Sequence, residues 1–347
     1  AADVTFADGA DIITASAGTS NVRVGVNAGN SITSGGNYNV VVGDEAGTAL
    51  TTGDGNVAVG FEALSTEDAN SFNVGIGYRA LKTLNAGADG YNIGIGYDAG
   101  TAMTTGVQNT IVGAFAGDAL TDADFNVALG ILALTDETKG SKSVAVGYAS
   151  LGDSNFTTST DTFNTAVGYS SGRLITTGIE NTLVGAKAGD ALTDADFNVA
   201  LGYLSLSADT LGSQSTAIGY ATLASQNFTT ATNAYNVAVG SQAGNDITTG
   251  TFNTLVGGLA GDAITTGTRN IAVGYNALGA DTLGSKSVAV GLGALADQNF
   301  TTATDALNTA VGHGAGTAVT TGVQNTIVGG VSGDALTTGQ QNTVLGH

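Results

Sequence analysis

The sequence predicts an all-β protein, a parallel β-roll or β-solenoid of 19 coils, each of roughly 17 residues. Three observations predict it. A five-residue phrase (Asn or Ser, then Val/Ile/Thr, any residue, Val/Ile/Leu, then Gly) occurs 19 times, with marker glycines from Gly25 and Gly43 to Gly329 and Gly346. Within each phrase the β-branched residues alternate with a period of two, which is the pattern of a short strand. No 3.6-residue apolar stripe accompanies them, and so short a period cannot hold a helical hairpin.

Residues 1–20 precede the phrase and read as lead-in or capping strands, while 21–347 read as one continuous array. From Gly96 the markers run Gly113, Gly130, Gly147 and, after a longer step, Gly168; this set of steps occurs three times and makes a four-coil superrepeat. The fourth residue after the marker keeps the same rhythm: Gly100, Gly117, Leu134, Leu151, then Gly172, Gly189, Leu206, Leu223. Ser replaces Asn at the head of the phrase only at Ser143, Ser215 and Ser287, and each of those copies carries four extra residues around Asn-Phe-Thr-Thr.

Each coil then divides into a strand and corners. Val57 and Val59, or Thr110 and Val112, place branched side chains on one face of the strand, and Asn56, Ala58 and Gly60 leave the other nearly flat. Glycine and Asx residues are expected at the corners, where positive φ and freed backbone groups occur. The branched columns are expected to fill the interior. That interior is lean, so the flat face is expected to be covered too, by chains associating along their length as a three-fold homotrimer. At about 4.8 Å per rung, such an array would be on the order of 90 Å long.

Composition narrows the function. The formal charge of -20, from 29 acidic and 9 basic residues, disfavours nucleic acid and anionic membrane surfaces. No run approaches the roughly 20 apolar residues that span a bilayer, and the first residues lack a signal-peptide layout, so the N-terminus reads as a mature or excised end. The absence of Cys excludes disulfide frameworks and thiolate metal sites.

Catalysis needs groups placed once, whereas the polar residues here recur as columns. The two histidines, His313 and His347, stand in a column that elsewhere holds Tyr, such as Tyr78, Tyr97 and Tyr275, and read as rung positions. No cofactor is expected, since no helix follows the glycines as a phosphate loop requires. Weak Ca²⁺ candidates are the acidic turns Asp118, Asp122, Asp124 and Asp190, Asp194, Asp196. The inserted loops, with sequons at Asn155, Asn227 and Asn299 and aromatics at Phe156, Phe228 and Phe300, are the expected partner contacts. Aromatics before the phrase (Tyr38, Phe72, Tyr91, Phe125) read as half-exposed packing between rungs, and the Asn column reads as an internal amide ladder.

Ser-Lys-Ser-Val-Ala-Val-Gly at 141–147 and 285–291 is similar to the head repeats of trimeric autotransporter adhesins of the YadA type. Asn-Thr-Ala-Val-Gly-Tyr at 164–169 and Asn-Ile-Ala-Val-Gly-Tyr-Asn-Ala-Leu at 270–278 resemble phage tail-fibre-like repeats. The resemblance covers about residues 21–347 and implies a parallel β-roll, three chains side by side, and an extracellular location on a virion or bacterial surface. The expectation is therefore a structural fibre or adhesin segment, not an enzyme, that holds or contributes to attachment to a cell-surface glycan or receptor. The alternative is a solenoid whose lattice binds an extended polysaccharide or ice, motivated by Thr pairs such as Thr104 and Thr105 or Thr176 and Thr177.

Overall fold

A computed structural model of the chain describes residues 16–346. Among them the fold is all-β, a parallel solenoid of about 19 coils that keeps the period of the marker glycines, with no helix. The residues fall into two compact units, 16–141 with 157–159, and 142–156 with 160–346. Most of the expected lead-in at 1–20, and His347, lie outside the described residues, and 16–20 carries no strand.

Each coil contributes one three-residue strand, from Val22–Val24 to Val127–Leu129 in the first unit and from Val144–Val146 to Thr343–Leu345 in the second. Neighbouring strands pair in parallel without slippage. Val57 lies opposite Val74, Thr216 opposite Val237 and Thr254 opposite Ile271.

The marker glycine is required by both its own conformation and its neighbour. At Gly219 φ is +139°, and a Cβ would lie 2.5 Å from the carbonyl oxygen of Gly240, the next marker. No side chain fits there, which is why the column admits only Gly. The other corners correct the expectation of glycine. Leu64 (φ 50°), Leu223 (φ 50°) and Phe125 (φ 60°) all occupy the left-handed region, a conformation that costs a residue with a Cβ roughly 1–2 kcal/mol.

The two faces of the strand are the reverse of the expectation. The small middle residue points inward and is fully buried, as at Ala58, Ala217 and Ala238, and so is the Asn that begins the phrase. The branched residues point outward: Val57 and Val59 are half-buried and Val237 is 38% exposed. The reason lies in the Asn, whose amide needs two backbone partners that only the interior supplies.

Volume inside the coil is balanced between two positions. Where the fourth residue after the marker is Gly, the seventh is generally a buried aliphatic or Met, as at Gly100 with Met103 and Gly189 with Leu192. Where the fourth is Leu, the seventh is generally polar, as at Leu206 with Asp209 and Leu223 with Gln226, all four fully buried. Leu81 and Leu84 form an exception in which both are apolar and both are buried. The Gly/Leu rhythm of the sequence is thus a rule of interior filling.

Candidate interaction surfaces

The Asn ladder supplies the framework. Asn236 Nδ2 donates to the Gly250 carbonyl at 2.7 Å, and Asn236 Oδ1 accepts the Asn253 backbone N–H at 2.9 Å. Asn253 repeats the pattern with Gly267 and Asn270. Each amide therefore closes its own coil and ties it to the next, an internal ladder as the phrase predicts. Together these bonds hold the strands in register, so their outer side chains line up from coil to coil.

Two outward columns run along each unit, one of Val, Thr or Ile and one of Val, Ile or Leu. They are flanked by the residues just before the phrase and just after the marker. Of the 29 acidic residues, only Asp44 and Glu180 fall in these four columns among the described residues, against the basic Lys142, Arg269 and Lys286. Lys142 and Lys286 are already paired, with Asp161 and Asp305. Apolar residues dominate the rest, including exposed Tyr91, Ile93, Phe197, Val199 and Tyr235.

The aromatic columns stack on themselves. Phe61 and Tyr78 have centroids 5.3 Å apart, Tyr78 and Tyr97 4.9 Å, Phe72 and Tyr91 5.2 Å, and Tyr235 and Phe252 5.3 Å. Their interplanar angles of 9° to 21° mean that ring faces meet ring faces between coils. Outward they present edges, so the platform of free faces on which a sugar ring stacks is absent from these pairs. His313 sits exposed in the same column as the tyrosines.

The inserted loops differ from their expectation in one respect. Asn155, Asn227 and Asn299 are exposed, but Phe156, Phe228 and Phe300 are 7%, 5% and 5% exposed. These rings are buried in the chain. Phe228 packs under Gly212, where a Cβ would come within 2.7 Å of the ring. The loops' exposed tips are Thr-rich, at 157–158, 229–230 and 301–302.

Beneath two of the loops lies a feature that the sequence reading missed. Asp209 is fully buried. Its Oδ1 accepts the backbone N–H groups of Gly212 at 3.0 Å and Phe228 at 3.1 Å, and its Oδ2 accepts Gln226 Nε2 at 2.5 Å. Gln226 Nε2 also donates to Ser215 Oγ, and its Oε1 accepts Asn236 Nδ2 at 2.8 Å. The same arrangement recurs one superrepeat later with Asp281, Gly284, Phe300, Gln298, Ser287 and Asn308. This explains why Ser replaces Asn at 215 and 287: the shorter side chain leaves room for the Gln amide. Burial raises the pKa of Asp209 and Asp281 against the lowering effect of those hydrogen bonds. Glu67 in the first unit is also fully buried, accepts Asn70 Nδ2 at 2.6 Å, and is raised for the same reason. The sequence signal was the co-variation of the fourth and seventh positions after the marker.

The Ca²⁺ candidates do not converge. Asp118 accepts Thr135 Oγ1 at 2.6 Å, Asp122 lies 3.7 Å from Lys139 Nζ, and Asp124 accepts the Val107 N–H at 2.8 Å. In the second turn Asp194 accepts Thr177 Oγ1, Asp196 accepts the Ile179 N–H, and Asp190 Oδ1 is buried without a partner. Apart from Asp190, each acid is engaged with an adjacent coil, and no group of three metal-ligating side chains forms among the described residues. Burial raises Asp118 and Asp190.

The Thr pairs are partly engaged in the fold. The first hydroxyl of each donates to a carbonyl of the next coil, as in Thr104 to Thr121 at 3.2 Å and Thr248 to Thr265 at 3.2 Å. No described helix is long and apolar enough to cross a membrane. Comparison of the chain with family models, curated sequences and solved structures finds no match in any of the three.

Proposed function

We propose that the chain is a structural segment of a homotrimeric fibre of the adhesin or tail-fibre type, displayed outside the cell on a virion or bacterial surface, where it holds or contributes to receptor attachment. The observation that carries this reading is the charge-poor, apolar outer face of the strands. A chain of net charge -20 repels its own copies over most of its surface, but these columns hold almost none of the acids and expose Val, Ile, Phe and Tyr. Exposed apolar patches of this extent are typical of interaction sites. Columns in register suit a second copy with the same spacing. In this reading the association face is the branched one, not the Asn/Ala face that the sequence reading would have covered.

The chain acts by geometry and multivalency, without catalysis or cofactor. A glycan or receptor is contacted by the Thr-rich tips of the inserted loops or beyond the array. The second reading, a lattice for extended polysaccharide or ice, draws support from outward Thr165, Thr182, Thr216 and Thr254, although Val and Ile interrupt that column. An ice-recrystallisation assay and a glycan array on the purified chain separate the two. The fibre reading expects neither ice shaping nor lattice-wide glycan binding. Strong activity in either assay by dispersed single chains overturns it.

A further inference from the structure

We infer that the buried acid–amide pairs Asp209–Gln226 and Asp281–Gln298 fix which coil stacks on which, and so act as the register lock of the array.

The strands do not supply that information. Thr216–Ile218, Val237–Val239 and Thr254–Val256 all present branched residues outward and a small or aliphatic residue inward. A strand displaced by one coil would meet the same phrase in the same alignment, with the same face inside, so the burial pattern that fixes register against a one-residue slip does not choose between coils. The Asn ladder does not supply it either, because nearly every coil carries the same amide and the same acceptor.

The seventh position after the marker does discriminate. Over the two superrepeats from Gly168 it runs Ile175, Leu192, Asp209, Gln226, then Ile247, Ile264, Asp281, Gln298. In the native stack each Asp meets the Gln of the following coil, at 2.5 Å in both cases. Displacement by one coil would set Asp209 against Ile247, by two against Ile264, and by three against a second carboxylate, Asp281. Only a shift of four coils restores a Gln, and that would expel a whole superrepeat and its strand pairings. A buried carboxylate without partners is strongly disfavoured, and buried polar groups that fix register are the best-attested use of such pairs. The inserted loop completes the lock, since the Phe228 N–H that binds Asp209 belongs to the extra residues.

The chain contains no Cys, so engineered pairs report register cleanly. Ala217 and Ala238 are native register partners, so A217C/A238C forms an intrachain disulfide in the correct stack. A217C/L255C forms one only after displacement by one coil. Each pair is refolded from denaturant under oxidising conditions, and intrachain disulfides are quantified by peptide mass spectrometry. In the otherwise unaltered chain the native pair is expected to exceed the displaced pair by about tenfold or more. In the background D209L/Q226L/D281L/Q298L, where Leu81 and Leu84 show that a coil can bury both leucines, the displaced pair is expected to rise by about tenfold. A displaced-pair yield unchanged in that background while the native pair still forms overturns the inference. If the leucine background does not refold, D209N/D281N decides. A rise of about threefold in the displaced pair supports the lock, and no rise overturns it.

Discussion

The outer face of the strands and the corner beneath the inserted loops break the ordinary rule of burial in opposite ways. At the corner, polar groups are inside: Asp209, Gln226, Ser215 and Asn236 are buried, yet each is paired within the chain. At the strand face, apolar groups are outside: Val199, Val237 and Ile271 are exposed among the described residues. The first exception is solved by hydrogen bonds and needs no partner. In the proposed fibre reading the second is met by another surface, and the near absence of acidic residues there favours a copy of the same chain. Self-sufficiency at one site and insufficiency at the other separate architecture from association.

The largest effects are expected where the chain satisfies itself. Asn236→Leu leaves the Asn253 N–H, the Gly250 carbonyl and Gln226 Oε1 without their partner. The expected loss is about 3 kcal/mol or more, near 1–3 for each orphaned buried group. Hydrogen exchange should show it as faster exchange confined to the coils around residues 216–270.

Leu255→Ala follows. Leu255 is fully buried and packs near Gly244 and Gly261, so the cavity should cost about 2–5 kcal/mol, measured by denaturant unfolding. Gly219→Ala meets the Gly240 oxygen at positive φ and should cost about 2 kcal/mol or more. If Gly219→Ala were neutral, close coil contact would not be the reason for the marker.

The pH dependence is smaller and has a definite sign. Burial raises the folded pKa of Asp209 and Asp281, so the folded state holds protons more tightly than the unfolded chain. Their contribution to stability is fully present below the ordinary carboxylate value and is lost as pH rises through the raised one. Unfolding midpoints should therefore fall as pH is raised through that window, and D209N/D281N should flatten the slope. An unchanged slope in the double variant would assign it to general charge repulsion.

The smallest effect on stability, and the largest on association, is expected at the other face. Val237→Ser should alter the stability of a single chain by no more than about 0.5 kcal/mol while weakening self-association.

Much of this was legible in the sequence because the repeat makes each column its own control. The marker glycine, the Asn ladder and the four-coil rhythm of Gly and Leu are all visible there, and the structure gives each a contact. Sidedness was not legible. Val57 and Val59 alternate with Asn56, Ala58 and Gly60, and alternation does not say which set is inside; hydrophobicity alone chose Val. The amide's need for buried backbone partners decided the other way. The buried acids were overlooked because Asp209 and Asp281 stand in no acidic turn, and only their spacing from Leu206 and Leu278 marks them as interior. Phe228 looked like a loop contact because its burial depends on Gly212, which lies in the preceding coil.

The most direct test is sedimentation equilibrium of the purified chain beside a variant carrying V237D and V256D on the outer face. The unaltered chain should sediment at three times 33.9 kDa, and the variant should keep its β spectrum but fall toward the single-chain mass. A single-chain mass for the unaltered protein at micromolar concentration, or an assembly indifferent to both aspartates, would contradict association through this face.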